Sequence, residues 1–257
     1  MTTYFYKYEG AGNDFVIIDN RNGAFPKNDH GLIRRYCDRK FGIGADGLML
    51  LENSEQGDFK MIYFNADGFP GSMCGNGGRC MVALAASLGL FQNETTFEAN
   101  GDTYKARIHD DRVSLGMLDV DQINVFEECA YLDTGSPHHV IYTDKVSDVD
   151  VIGEGRKIRY GEPYNDAGTN VNFVEQKDDK TFKVRTYERG VENETLSCGT
   201  GVTAVALASF FLKKTKSERI TIETLGGVLD VEFKFENDRF HSIILSGPAT
   251  FVFKGTF

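Results

Sequence analysis

At 257 residues the chain has room for one large or two moderate domains, and 41% apolar with 12% aromatic content is ample for packed cores. A formal charge of -10 with interspersed signs and no basic tract argues against a nucleic-acid or anionic-membrane partner. A small ligand, zwitterionic or partly cationic, suits that balance better.

Residues 1–8 alternate apolar and polar like a strand, without the charged start and apolar run of a secretion signal, and no apolar stretch reaches membrane-spanning length. Residues 15–19 read as the next strand. A surface helix is expected over 29–41, capped by Asn28 or Asp29, with Leu32, Ile33, Tyr36 and Cys37 on its apolar face and Gly42 as its stop. The following Gly42-Ile43-Gly44-Ala45-Asp46-Gly47 matches the dinucleotide fingerprint letter for letter. That fingerprint needs a strand before it and a helix after it, whereas here a helix precedes and the strand-like 48–51 follows. Its glycines are read as a helix stop and a tight turn, and no cofactor is expected.

After a strand at 59–65 comes Cys74-Gly75-Asn76-Gly77, then an almost wholly apolar run over 79–88 and alternating segments to residue 108. Strands are expected at 113–118, 171–175, 182–187 and 242–245, with a weaker helix after Ser147. Cys198-Gly199-Thr200-Gly201 then repeats the earlier device, leading into the apolar run 202–212. A helix apolar all round is enclosed by other structure. From Cys74 to Gly101 is 27 residues and from Cys198 to Gly226 is 28, so the order strand, Cys-Gly loop, buried helix, hairpin occurs twice.

The repeat implies an α+β protein of two pseudo-symmetric domains, each a β-sheet or barrel-like wrap around a central buried helix. The first would span residues 1–116, with the tail 251–257 packing back onto it, and the second 117–250. The duplication further suggests that the two Cys-bearing helix ends border one cleft.

Each Cys-Gly-x-Gly would stand at a helix N-terminus, where unpaired backbone N–H groups and the positive dipole end favour anions and lower a thiol pKa. Glycines there let a ligand approach the backbone. Cys37, Cys80 and Cys129 read as small core residues. The five cysteines are odd in number and include no Cys-x-x-Cys, so neither a disulfide framework nor a zinc site is expected, and a reducing cytoplasm is. His138 and His139 are adjacent and point apart, a poor metal site, while His138 after Pro137 is placed to tune a thiol. Glu188 and Arg189 end a strand just before the second Cys loop, as Asn65 ends one before the first.

Taken together, Gly12-Asn13-Asp14-Phe15, Phe64-Asn65-Ala66-Asp67-Gly68, Met73 through Cys80, Ser136-Pro137-His138, Thr169-Asn170, Tyr187-Glu188-Arg189-Gly190 and Glu194 through Gly201 resemble the diaminopimelate epimerase family along the whole chain. The resemblance implies a cofactor-independent, metal-free isomerase of the lysine and peptidoglycan pathways, usually dimeric. It implies Cys74 and Cys198 as the acid/base pair converting LL- to meso-diaminopimelate. Substrate would be held by Asn13, Asn65, Asn170, Glu188, Arg189 and the Gly75-Asn76 and Gly199-Thr200 backbone, with His138 and Glu188 influencing cysteine ionisation. Two positions depart from the pattern: Gly47 stands where a glutamine often contacts substrate, and Ser136 where an asparagine commonly does. Related proline and hydroxyproline racemases usually carry histidine where this chain has Asn76. Such a racemase, and a thiol redox enzyme using the same cysteines, are the rival readings.

Overall fold

Alternation of apolar and polar residues folds the chain into strands, and the two apolar runs fold into helices that those strands cover. The computed structural model describes residues 2–71, 73–127 and 129–257. It is mixed α+β, and the chain divides into two compact units, Met1–Leu115 with Gly247–Phe257, and Gly116–Ser246.

In the first unit, β1 (Tyr4–Gly10), β2 (Asn13–Asp19), β3 (Gly47–Glu52), β4 (Phe59–Asn65), β5 (Glu94–Ala99), β6 (Asp102–His109) and β7 (Arg112–Gly116) are joined by β17 (Thr250–Thr256) from the chain's end. Starting from β17, successive pairings to β7 run antiparallel, antiparallel, parallel, antiparallel, parallel, antiparallel, antiparallel. Helix α1 (His30–Cys37) lies between β2 and β3 in sequence, and α2 (Gly75–Ser87) between β4 and β5. Strands β1, β2, β3, β4, β6 and β17 contact α2.

The second unit contains β8 (Asn124–Phe126), β9 (Cys129–Asp133), β10 (Pro137–Tyr142), β11 (Asn170–Gln176), β12 (Thr181–Glu188), the short β13 (Asn193–Thr195), β14 (Arg219–Thr224), β15 (Gly227–Glu236) and β16 (Arg239–Pro248). From β8 through β12 and on to β14, β15 and β16, the pairings follow the same series of directions as in the first unit. Helix α3 (Val151–Tyr160) occupies the place of α1, and α4 (Gly199–Phe211) that of α2. Strands β9 to β12, β14 and β15 contact α4. The duplication read from two cysteine loops is therefore a duplication of whole topology, with β17 filling the place that β8 fills in the second unit.

Both central helices are buried over most of their length. Deeper in α4 the hydroxyls turn back on their own helix: Thr203 donates to the Gly199 carbonyl at 3.0 Å and Ser209 to that of Val205 at 2.7 Å.

Helix α1 ends earlier than the expected residue 41. Asp38 adopts an extended conformation, and its carboxylate accepts the N–H groups of Lys40 at 2.7 Å and Phe41 at 2.8 Å, an Asx turn that competes with further helix. Gly42 still closes the turn, since a Cβ there would lie 1.8 Å from the Arg35 carbonyl oxygen. Asp29 is the cap, accepting from Leu32 N at 2.9 Å. Cys37 and Cys80 are buried as expected, but Cys129 is only half-buried because it opens β9 beside the short β8. Among the described residues no helix is long and apolar enough to cross a membrane.

Candidate active site

Cys74 and Cys198 occupy equivalent positions: each is the extended N-cap of its unit's central helix, with φ near -101° and -121° respectively. Each carbonyl accepts the first helical bond, from Gly78 at 2.7 Å and from Val202 at 2.9 Å. Neither side chain is consumed in capping. Helix geometry leaves the first-turn amides of Gly75-Asn76 and Gly199-Thr200 without acceptors inside the helix, so each helix start presents donors and a positive dipole end beside a thiol.

In the first unit the β1–β2 turn passes through Ala11 and Gly12, both at positive φ, and delivers Asn13 to the start of β2. Asn13 donates from Nδ2 to Asp46 at 2.6 Å, which turns its Oδ1 toward Cys74 Sγ at 3.6 Å and Asn76 Nδ2 at 3.5 Å. Asp46 is held by Arg39 at 2.7 Å. Arg39 also pairs with Asp14, which in turn pairs with the nearly buried Lys7 at 2.6 Å. Burial raises the Asp14 pKa, but the Arg39 and Lys7 hydrogen bonds and charges outweigh it and hold the carboxyl down at about 2.

Within α2 itself, Arg79 is fully buried although it opens the apolar run. Its guanidinium donates to the carbonyl of Gly75 at 3.3 Å, to Asn76 Oδ1 at 3.0 Å and to the carbonyl of Pro248 at 3.3 Å. Burial pushes its pKa down to about 10, so it stays a cation at neutral pH, opposed by the neighbouring Cys80 and Cys74 thiols. Burial raises the Cys80 thiol well above the ordinary range, which takes it out of acid–base work.

Asn65 ends β4 exposed, opposite Gly47 in register. The space a side chain would fill at Gly47 is occupied: a Cβ there would sit 2.4 Å from the Tyr63 ring and 2.9 Å from its hydroxyl oxygen. Gly71 packs on the ring's other side, where a Cβ would come within 2.5 Å. The missing side chain at Gly47 is thus matched by the aromatic at Tyr63, a relation between positions that no motif carries.

In the second unit parallel pairing of β10 with β11 sets His138 opposite Asn170, and β11 with β12 sets Asn172 opposite Thr186. His138 is fully buried under the first turn of α4, where its Nε2 lies 2.9 Å from Thr200 Oγ1 and 3.1 Å from Ser136 Oγ. Thr200 Oγ1 is 3.4 Å from Cys198 Sγ. On the other side of the ring, Asn172 Nδ2 lies 3.1 Å from Nδ1. Burial first, and then the positive charge of Arg189, push the His138 pKa down to about 3, so the ring is neutral near pH 7. His139 points away to Tyr164 at 2.8 Å and is pushed down to about 4 by burial.

Asn170 is buried and fully engaged. It donates to Ser136 Oγ at 3.3 Å and the Pro137 carbonyl at 3.0 Å, and accepts from Arg189 N at 2.9 Å. It therefore ties the Ser136–His138 segment to the strand end carrying Arg189. The exposed Arg189 side chain donates to the Ala167 carbonyl at 2.9 Å, and Glu188 accepts from Thr195 at 2.9 Å. Ser136 stands inside the cluster of His138, Thr200 and Asn170, with its shorter reach spent on those partners.

Each unit thus gathers most of its own candidates around its own cysteine: Asn13 and Asn76 at Cys74, and His138, Ser136, Thr200 and Asn170 at or near Cys198. Asp46, Tyr63, Arg79, Asn172 and Thr186 complete these networks, although no motif assigns them a role. Asp46 lay in view inside the glycine-rich turn, and Asn172 two residues beyond Asn170, but their roles depend on strand register.

The family model described as diaminopimelate epimerase matches residues 5–121 and 130–252. A diaminopimelate epimerase of Flavobacterium psychrophilum is 54% identical over 252 residues, covering 98% of each chain. That of Chlorobaculum tepidum is 46% identical, covering 96% of this chain and 98% of its own. Among solved structures, a phenazine biosynthesis protein of the PhzF family from Bacillus anthracis superposes with a TM-score of 0.76 at 13% identity, covering 100% and 99% of the two chains. A hydroxyproline epimerase from Agrobacterium vitis, solved with trans-4-hydroxy-L-proline, gives 0.68 at 14% identity, covering 99% and 92%. At such identities these two show a shared fold.

Proposed function

The chain belongs to the diaminopimelate epimerase family, and from that premise we propose that it interconverts LL- and meso-2,6-diaminopimelate by a two-base reaction, without a cofactor, using Cys74 and Cys198. The observation that carries the reading is the matched placement of these cysteines as N-caps of the central helices of two topologically equivalent units.

Inverting a carbon centre requires removing the α-proton from one face and returning a proton to the other. The reaction therefore calls for one thiolate and one thiol acting on a single α-carbon, and the pair shares one proton. The α-hydrogen is weakly acidic because the carboxylate resists further negative charge. First-turn amides of Gly75, Asn76, Gly199 and Thr200 are the proposed donors to the α-carboxylate, stabilising the enediolate as it develops. Glu188 is assigned to the α-ammonium, which also acidifies the carbon. Arg189 is assigned to the distal carboxylate, which its planar fork fits, and Asn13, Asn65 and Asn170 to the remaining polar groups of the substrate. The engagement of Asn170 with Arg189 N supports a role in fixing the strand end that carries Glu188 and Arg189.

The product would supply lysine and peptidoglycan precursors. A cytoplasmic site of action is proposed because the thiols must stay reduced. A homodimer is proposed because β17 carries three consecutive apolar side chains, Phe251, Val252 and Phe253, each about half exposed.

Incubation in deuterated water with LL-diaminopimelate, proline or hydroxyproline tests the reading. The expected result is α-deuterium in diaminopimelate alone, accompanied by meso product. Absence of α-deuterium from diaminopimelate sinks it, and α-deuterium in proline would transfer the assignment to the racemase rival.

A further inference from the structure

Two-base chemistry leaves open which cysteine carries the charge before substrate arrives. Asparagine side chains decide this, because an amide presents a donor on one side and an acceptor on the other.

At Cys74 the orientation is set by Asp46. An ionised carboxylate only accepts, so the Asn13 NH2 must face it, at 2.6 Å, and the Asn13 carbonyl oxygen must face Cys74. Asn76 confirms the assignment independently: Arg79 donates to its Oδ1, so its NH2 is the group that meets Asn13 Oδ1. A carbonyl oxygen has no proton to give. The contact at 3.6 Å is favourable when sulfur donates S–H and repulsive when sulfur is an anion.

At Cys198 the polarity is opposite. The His139 carbonyl accepts from Asn172 Nδ2 at 3.1 Å, and Thr186 donates to Asn172 Oδ1 at 3.0 Å, so the amide cannot be turned. Its NH2 therefore meets His138 Nδ1, which must offer a lone pair, and the proton of the neutral ring sits on Nε2. From Nε2 it is donated to Thr200 Oγ1. Ser136 Oγ, which receives from Asn170, lies within hydrogen-bond reach of both His138 Nε2 and the Thr200 hydroxyl. Thr200 keeps a hydroxyl proton that Cys198 Sγ, 3.4 Å away, can accept, whereas the Asn13 oxygen at Cys74 has none to give. A hydroxyl that donates to sulfur favours the thiolate.

Fixed charges bear on both sites. Arg79 acts on Cys74; Arg112 adds positive charge beside Arg79, Glu9 and Cys80 oppose it, and the Arg79 donors are held by Gly75, Asn76 and Pro248 oxygens. Around Cys198, Arg189 acts on His138, and Glu188 is bonded by Thr195. The Arg79 charge opposes the Asn13 contact at Cys74, but its guanidinium donates to oxygens, so the Asn13 oxygen still faces that sulfur as an acceptor.

Resting on the two-base reading above, the geometry points to Cys198 as the thiolate and Cys74 as the thiol of the unliganded protein, with Asp46 and Asn172 as the positioning residues that set the difference. The unliganded enzyme then first accepts the epimer that turns its α-hydrogen toward Cys198. Cys198 gains that proton, Cys74 delivers its own to the opposite face, and the charge moves to Cys74 until protons exchange back.

The test is the pH dependence of iodoacetamide alkylation in the unmutated protein, followed separately for the Cys74 and Cys198 peptides by mass spectrometry. The midpoint of each curve reports ionisation, whereas access only scales the rate. The Cys198 midpoint is expected about one pH unit or more below that of Cys74. Coincident or reversed midpoints overturn the assignment. Thr200→Val should raise the Cys198 midpoint and Thr200→Ser restore it, while Asp46→Asn, by releasing the Asn13 amide, should lower that of Cys74. A Thr200→Val midpoint equal to that of the unmutated protein overturns the relay. No substrate enters this measurement, so its failure is distinguishable from failure of the epimerase reading, which the deuterium experiment reports.

Discussion

Under the first turn of α2, the space beside Gly77 is apolar: a Cβ there would meet Met49 Sδ at 3.0 Å and the Phe15 ring at 3.5 Å. The equivalent space beside Gly201 in α4 is polar, with Asn172 Oδ1 at 2.5 Å and His138 Cε1 at 3.3 Å. Two units with one topology thus support their cysteines differently. The first approaches its sulfur from the side, through Asn13 and an ion network running from exposed Arg39 to nearly buried Lys7, and the second from below, through a buried histidine. Duplication supplies the pair of thiols, and divergence beneath the helix starts makes them unequal, which a reaction needing one acid and one base can use.

The largest expected effect comes from removing either member of the pair. Cys74→Ser and Cys198→Ser should each lower kcat by about three orders of magnitude, since a hydroxyl is a far poorer base than a thiolate. The near-ultraviolet circular dichroism should be unchanged. A variant that retains near-normal turnover would break the equivalence of the two N-caps and leave a one-base protein.

The equivalence was legible in the chain because it is written in local signals: a Cys-Gly-x-Gly followed by a run too apolar to be exposed, twice, at nearly constant spacing. Strand positions followed from alternation, and β4 has the expected bounds of 59–65. The divergence was hidden for a physical reason. Asn172 meets His138 at a sequence separation of 34, and Asn13 meets Asp46 at 33, through strand and loop placement that alternation does not encode. Arg79 was read as the edge of an apolar run, and burial of its guanidinium depends on carbonyl acceptors that have no sequence signature. The helix stop at Asp38 has no glycine or proline to mark it, because the Asx turn that makes it rests on a side-chain conformation that residue type alone does not dictate.

A smaller effect sharpens the difference between the two floors. Gly201→Ala should push the Asn172 amide off its hydrogen bonds, costing about 1–3 kcal/mol by overpacking and lowering kcat about tenfold while KM changes little. Gly77→Ala should cost less than about 1 kcal/mol, because the Met49 thioether is flexible and can move aside. Urea midpoints with parallel kinetics measure both. Equal losses in the two variants would mean that the polar floor has no bearing on Cys198 beyond packing.

Acidification separates the units by stability alone. Above about pH 6.5 histidine is neutral whether the chain is folded or not. Below it the unfolded chain takes up protons, while buried His138 and His139 hold out to about 3 and 4. Protonation therefore favours unfolding throughout that window. The stability present at pH 7 should have fallen by about 1 kcal/mol per histidine at pH 5.5. In the first unit Asp19, Asp38 and Glu98 are held down and Asp14 furthest, at about 2, so its contribution is intact at pH 5.5 and is lost only as the pH falls below about 4 toward that value. Amide exchange followed by mass spectrometry should show β10 and β11 losing protection between pH 7 and 5.5 while β2 and β3 keep theirs. Parallel loss in both pairs of strands would show that the two units open together, and would place the acid response in the whole chain rather than in the histidines under α4.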